Sequence, residues 1–280
     1  MPELAEVEYY RKRWDLGLNQ KITEVELHPK AKIFRGCDVA SLEKQLTGAT
    51  LVSSEAAAKQ MLFRFSGDAW LGLHLGMTGE LTAQSADFTP RKHDHLVLRQ
   101  RERSLVFSDH RMFGRVQFSV GPSAPTWWTS IAPAILSGAF TVDAVAVFLR
   151  RRARAPIKAA LLMQERFPGI GNWMADEILW RSAIHPKQPA GTLTSAQIKT
   201  LHRECRWVCR EALKIIGDAP DTLPDPPKSW LFPHRWENGG LCPKTGAELL
   251  REEIGDGARP AGRQPGRSSC TKIFLQTRSL

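Results

Sequence analysis

The spacing of apolar residues changes partway along the chain. Before residue 122 they recur at every second position. Met61, Phe63 and Phe65 alternate, Ser66-Gly67-Asp68 turns the chain, and Leu71, Leu73 and Leu75 alternate again. This predicts a β-hairpin with one buried face. A second hairpin is predicted over His95–Leu98 and Leu105–Phe107, around the charged turn Arg101-Glu102-Arg103, and Val116 and Phe118 add a strand. Ahead of these, residues 3 to 14 read as a short helix. Glu3, Glu6 and Glu8 come first and Arg11, Lys12 and Arg13 last, as the helix dipole prefers, while Leu4, Val7 and Trp14 share a face. The expectation for residues 1–122 is a helix followed by an antiparallel β-sandwich.

Beyond Gly121-Pro122-Ser123-Ala124-Pro125 the period becomes helical. Helices are predicted from Thr141 to about Arg151 and over 172–183, the latter ending before His185-Pro186. Thr194 and Gln197 have the spacing of a capping box. The stripe Ile198, Leu201, Cys205, Val208, Ala212, Ile215 then keeps one face apolar until Gly217, which makes Cys205 a core residue. Residues 217–231 read as a proline-rich connector. Residues 232–280 are basic and weakly patterned, too few for a core of their own, and are expected to pack on the helical region. The chain therefore divides into 1–122, 130–231 and 232–280, an α+β protein.

With 280 residues there is room for two cores. The net charge of +10 and a pI near 9.6 point to a polyanion, nucleic acid above all, or else to a charge that serves only solubility. No apolar run approaches the ~20 residues of a membrane span, and the acidic start lacks an apolar signal core. Cys37, Cys205, Cys209, Cys242 and Cys270 are odd in number and irregular in spacing, which argues against a disulfide framework and for a reducing cytoplasm.

The start, Met1-Pro2-Glu3, carries candidate chemistry. Trimming Met1 would leave a proline with a free secondary amine beside a carboxylate. An α-amine has a reference pKa near ~8, so part of it is unprotonated at neutral pH. Such an amine attacks electrophilic carbon and forms an iminium without losing a second proton, and Glu3 is a candidate acid or base. The same residues also suit a plain helix start.

Seven features, in order, resemble the formamidopyrimidine-DNA glycosylase and endonuclease VIII (Fpg/Nei) group of DNA repair enzymes. Pro2-Glu3-Leu4-Ala5-Glu6-Val7-Glu8 is similar to the family's PELPEVE, with Ala5 where proline is usual. Lys59 resembles the family's strand lysine, with Ala58 at the customary glycine. His74-Leu75-Gly76-Met77-Thr78-Gly79 is similar to HLGMSG. Lys92-His93-Asp94-His95, Asp109-His110-Arg111-Met112-Phe113-Gly114, Gly169-Ile170-Gly171-Asn172-Trp173 with Asp176-Glu177, and Ile184-His185-Pro186 complete the set.

The resemblance implies a bifunctional glycosylase and abasic-site lyase acting on double-stranded DNA, as a monomer without a cofactor, in the cytoplasm or on a bacterial nucleoid. It implies Pro2 as nucleophile, Glu3 and Lys59 as catalytic partners, and Glu6 as a supporting acid. Met77, Arg111 and Phe113 would fill the space left by the extruded nucleotide. His93, Arg111, Lys158 and Asn172 would contact the DNA backbone, Asn172 also capping its helix. The Met77/Arg111/Phe113 set implies oxidised purines, ring-opened or 8-oxo. The short connector 217–231 leaves oxidised pyrimidines open, and a non-catalytic damaged-DNA-binding protein is the alternative outside enzymes.

The C-terminus departs from the family. A four-cysteine zinc finger is common there, but Cys242-Pro243-Lys244-Thr245-Gly246 keeps one ligand type and loses the next. Aligned on Gly266-Arg267 and Gln276, the remaining ligand positions hold Lys272 and Leu275, and Cys270, ahead of both, falls between ligand sites. One ligand in four makes no tetrahedral zinc site. A zincless β-hairpin finger is expected, presenting Arg267 to the lesion phosphate, with Arg263 as its rival.

Overall fold

The computed structural model describes residues 1–28, 30–236, 240–254 and 271–276, and for 251–254 and 271–276 it describes the backbone. The chain forms two compact units, Met1–Ile131 and Ala132–Leu280.

The first unit runs α1 (Leu4–Arg13), β1 (Glu24–Leu27), α2 (Val39–Leu46), β2 (Leu51–Ala57), β3 (Gln60–Phe65), β4 (Ala69–His74), β5 (Glu80–Ser85), β6 (Asp94–Arg99), β7 (Arg103–Ser108), β8 (Arg115–Val120) and α3 (Thr126–Thr129). Its strands make two antiparallel sheets, ordered β1-β6-β7-β5 and β2-β3-β4-β8. Each sheet gives alternate residues to one shared core. Leu51, Met61, Phe63, Phe65, Leu71 and Leu73 come from one, and Val25, Leu81, Leu96, Leu98, Leu105 and Phe107 from the other. Burying such a side chain is worth about 1.5–3 kcal/mol, so the period-2 pattern sets which faces meet.

The hairpin β3–β4 has more than the one buried face expected of it. Every residue from Ala69 to Leu73 is buried, and so is Leu62. The outer face is covered by Trp127 of α3, which lies over Gly72. A Cβ at position 72 would stand 2.2 Å from the Trp127 ring, so the absence of a side chain makes the seat. Arg11 fastens α1 to the sheet. It pairs with Glu8 (2.7 Å) and Asp15 (2.8 Å) and donates to Ser54 on β2.

The second unit contains α4 (Val142–Arg151), α5 (Ile157–Leu161), α6 (Asn172–Ser182), α7 (Ser195–Ala212), β9 (Leu249–Ile254) and β10 (Thr271–Gln276). The capping box of α7 is present: Gln197 N–H donates to Thr194 Oγ1 (3.2 Å) and Thr194 N–H to Gln197 Oε1 (2.9 Å). Cys205 is fully buried. The segment 217–231 is not a free connector throughout, because Trp230 and Leu231 at its end are buried. Strands β9 and β10 pair antiparallel, with Lys272 opposite Glu253 and Leu275 opposite Leu250. Among the described residues no helix is long and apolar enough to cross a membrane.

Candidate active site

Topology collects the first unit's candidates at one end of its sandwich. In one sheet Gln60, His74 and Arg115 lie side by side at the strand ends. In the other, Glu80 and Asp94 both pair with Ser108. Residues 75–79 cross from β4 to β5 and residues 109–114 from β7 to β8, so both crossovers fall at that end. The β2–β3 turn falls there too.

Lys59 is in that turn rather than on a strand. Ala57 pairs with Gln60, which leaves Ala58-Lys59 as a two-residue loop. Ala58 has φ +57°, the left-handed region that favours glycine. The fold thus asks for the glycine that the family usually has there, and the chain tolerates alanine.

Glu3 and Glu6 cap α1 reciprocally, with Glu6 Oε2 accepting from the Glu3 N–H (3.2 Å). Glu3 is 2% exposed, and Pro2 next to it is half-buried. Burial pushes the Lys59 ammonium below its ordinary pKa, while the charges of Glu3 and Glu6 pull it back up. Lys59 therefore lies within the electrostatic reach of both carboxylates. The same field acts on Tyr10, whose hydroxyl is pushed up to about 12 by burial and then by Glu80, Tyr9 and Glu6.

His74 joins this group, although the sequence motif had singled out only Met77. Burial, then Lys59 and Arg115, lower its pKa. Its Nδ1 accepts the Gly76 N–H (3.0 Å), so the neutral ring carries its proton on Nε2. Its position at the head of His74-Leu75-Gly76-Met77 was the available signal.

Met77 and Phe113 are 41% and 44% exposed, too open for core residues. Arg111 is also exposed and lies over Phe113, 4.9 Å from the ring centroid. A single buried residue, Asp109, braces both crossovers. It accepts from Thr78 Oγ1 (2.7 Å), Arg111 N (3.2 Å) and Gly114 N (2.7 Å), and its carbonyl is 2.9 Å from His95 Nε2. Gly76 lets the two backbones touch: a Cβ there would come within 2.4 Å of the Phe113 carbonyl carbon. Met112, between the two presented side chains, has φ +52°. Asp109 was legible only as part of a motif. His93 is exposed, its ring 6.3 Å from that of His110.

In the second unit Gly169 takes φ +88° and Gly171, not Asn172, occupies the cap position of α6. Asn172 is the first helical residue and its side chain is exposed. Lys158 does not stand where a phosphate could reach it. Its side chain is 0% exposed and its ammonium is 2.5 Å from Asp176, which also pairs with Arg235 at 2.9 Å. An unpaired buried charge is costly, and Asp176 draws Lys158 inward. Exposed basic side chains remain nearby at Arg150, Arg151 and Arg154, while Arg152 pairs with Glu165.

Arg267, Arg263 and Cys270 lie outside the described residues. Cys242 is buried, and its sulfur accepts the Trp180 indole N–H (3.4 Å). Burial raises its thiol, but hydrogen bonds from Thr245, Trp180 and the Lys244 and Thr245 backbone outweigh that and hold it below its ordinary value. The donor set does not fit a zinc finger. Among the described residues no three His, Cys, Asp or Glu stand together to hold a metal.

Two family models match the chain. The formamidopyrimidine-DNA glycosylase N-terminal domain matches residues 1–116, and the H2TH domain of the same enzymes matches residues 131–222. A formamidopyrimidine-DNA glycosylase from Roseiflexus sp. (strain RS-1) is 39% identical over 206 residues, covering 70% of this chain and 74% of the relative. The chain belongs to the formamidopyrimidine-DNA glycosylase family. Its members are DNA glycosylases with abasic-site lyase activity, enzymes of base excision repair. Among solved structures, this family member superposes on a Lactococcus lactis Fpg mutant in complex with Fapy-dG-containing DNA, with TM-score 0.82, 26% identity and 98% of each chain covered. It also superposes on the wild-type Lactococcus lactis enzyme in complex with oxidised-pyrimidine-containing DNA, with TM-score 0.81, 25% identity and 98% of each chain covered.

Proposed function

We propose that the chain excises oxidised bases from duplex DNA and cleaves the resulting abasic site through a covalent intermediate at Pro2. The observation that carries this reading is the head of α1: a half-buried Pro2 next to the buried Glu3, with Lys59 feeling the charges of both Glu3 and Glu6. With Met1 removed, the Pro2 nitrogen attacks the anomeric carbon of the damaged nucleotide and the base leaves with a proton. Glu3 protonates the sugar oxygen as the ring opens, which leaves an iminium between C1′ and Pro2. The iminium accepts electrons, so loss of a proton from C2′ expels the 3′ phosphate. A second elimination expels the 5′ phosphate, and water then frees Pro2. Lys59, an amine kept below its ordinary pKa, takes the C2′ proton.

Met77, Arg111 and Phe113 fill the gap in the duplex. His93, Arg111, Asn172 and Arg267 hold phosphates. A protein that only binds damage would have no use for Pro2, Glu3 and Lys59 together. Ring-opened and 8-oxo purines are the favoured substrates. A second reading, oxidised pyrimidines, is favoured by the short segment 217–231, whose end is taken up in packing. Excision from a panel of single-lesion duplexes separates the two.

The covalent step is tested by incubating the enzyme with abasic duplex, reducing with borohydride and mapping the cross-link. A cross-link at Pro2 is expected, and none when Met1 is retained. Trapping at a lysine, or no trapping, overturns the proposal.

A further inference from the structure

Three residues of α6 hold the chain that leads into the C-terminal hairpin. Asp176 pairs with Arg235 (2.9 Å), and Glu177 Oε2 accepts the Leu231 N–H (2.7 Å). One turn on, Trp180 makes two contacts with a single turn of chain. Its indole N–H donates to Cys242 Sγ (3.4 Å), and the Lys244 ammonium stands over its ring, 3.9 Å from the centroid. That turn is closed on itself. Gly246 N–H donates to the Cys242 carbonyl (2.8 Å) and Cys242 N–H to the Ala247 carbonyl (2.8 Å), with Gly246 at φ +71°. Leu231, Cys242 and Leu249 bury together against Trp180, and β9 begins at Leu249.

A zinc ion in this position would tie such a turn to the rest of a finger through thiolates, and the donors present do not suit one. We propose that Trp180 does the tying instead: its N–H holds Cys242, its face holds Lys244, and together they position the β9–β10 hairpin for DNA. An indole suits this task because it offers a donor at its edge and a negative face to a cation. Phenylalanine would lose the donor, and a serine at position 242 would be a smaller acceptor. Trp180, Cys242 and Lys244 are positioning residues in this account. None of them touches the reacting atoms.

The test uses the full chain and a duplex carrying a tetrahydrofuran abasic analogue. It rests on the DNA reading only in its binding arm. Lys244→Met changes an exposed residue and should fold. It is expected to weaken binding about two- to fivefold, the worth of one exposed cation–π contact, and to leave the single-turnover cleavage rate on abasic duplex at saturating DNA unchanged. Lys244→Arg should restore binding. Hydrogen exchange at the backbone amides of 249–254 should quicken in Lys244→Met and more so in Trp180→Leu, with or without DNA, and neither zinc nor chelator should alter it. In the Trp180→Leu background, Lys244→Met should have no further effect.

If the lysine change costs as much in that background as in the parent, Lys244 acts directly on DNA and the anchor is wrong. Unchanged exchange in Lys244→Met overturns it as well. If no duplex binds even the parent protein, the proposed function fails, and the exchange measurement still decides the anchor.

Discussion

Lys59 and Lys158 carry the same ammonium and meet opposite surroundings. Lys59 is held in a turn, mostly buried, with carboxylates near enough to feel but not to neutralise the cost of burial, so its pKa falls. Between that lowered value and the ordinary one the unfolded chain binds more protons than the folded one. Stability linked to Lys59 therefore rises with pH across this window, and is lost as pH falls through the lowered value. The same shift supplies free amine at lower pH. Cleavage of abasic duplex should rise with pH along a limb centred below the usual lysine range, and Lys59→Arg should remove that limb while preserving DNA binding. A pH–rate profile identical in the two proteins would take Lys59 out of proton transfer. Lys158 is in direct contact with Asp176 and fully enclosed. Its removal leaves a buried carboxylate with Arg235 as its remaining ion-pair partner. Lys158→Met should cost about 3–5 kcal/mol of stability, the usual cost of breaking a buried pair, as read by urea unfolding. The salt dependence of DNA binding should keep its slope, contrary to what a surface phosphate contact would give.

At the scale of elements, the proposed function puts the filling of the duplex on the crossovers 75–79 and 109–114, and Asp109 bonds to both of them. Asp109→Ala strips three donors of their acceptor at a site that is 0% exposed. The Gly114 N–H bond is buried, and losing it leaves a group whose burial costs about 1–3 kcal/mol, while the Thr78 and Arg111 bonds are part-buried. Affinity for abasic duplex should fall at least about tenfold, with Asp109→Asn milder because one oxygen remains. Full affinity in Asp109→Ala, measured at a temperature where the variant is folded, would separate the brace from the filling of the duplex. The sequence showed the strands β3, β4, β6 and β7 because their apolar alternation meets a deep core, and the edge strand β8 through the pair Val116 and Phe118, of which only Val116 is buried. It did not show β1, β2 or β5. These are edge strands, and in β2 and β5 Leu51 and Leu81 are the only fully buried residues, too few to make a period. Helix α5, with five residues, is too short to show one. The candidate site was legible where motifs named side chains that the fold gathers at one end of the sandwich, Lys59 and Met77 among them. It was illegible where the role depends on long-range packing. The burial of Lys158 requires Asp176, eighteen positions later, and the bracing by Asp109 requires two loops to meet.

On the scale of the whole molecule, a net charge of +10 attracts the DNA backbone over distance, and local groups then select the lesion. The proposed function gives the C-terminal hairpin a part in this second task. Structural zinc contributes to folding outright, and chelators unfold domains that depend on it. Here Cys242 gives its sulfur to the Trp180 indole, and β10 carries Lys272 and Leu275 at the aligned ligand positions. Neither lysine nor leucine is a usual zinc ligand. Activity should therefore persist in excess chelator, and elemental analysis should find far less than one zinc per chain. The hairpin should nonetheless be indispensable, because Arg267 offers a planar fork of donors matched to a phosphate. Arg267→Ala should lose both base excision and strand cleavage with its unfolding curve unchanged, whereas Arg263→Ala should be milder. Stoichiometric zinc would overturn the reading of the ligand positions. A fully active Arg267→Ala would shift the phosphate contact to Arg263 and with it the alignment of this segment.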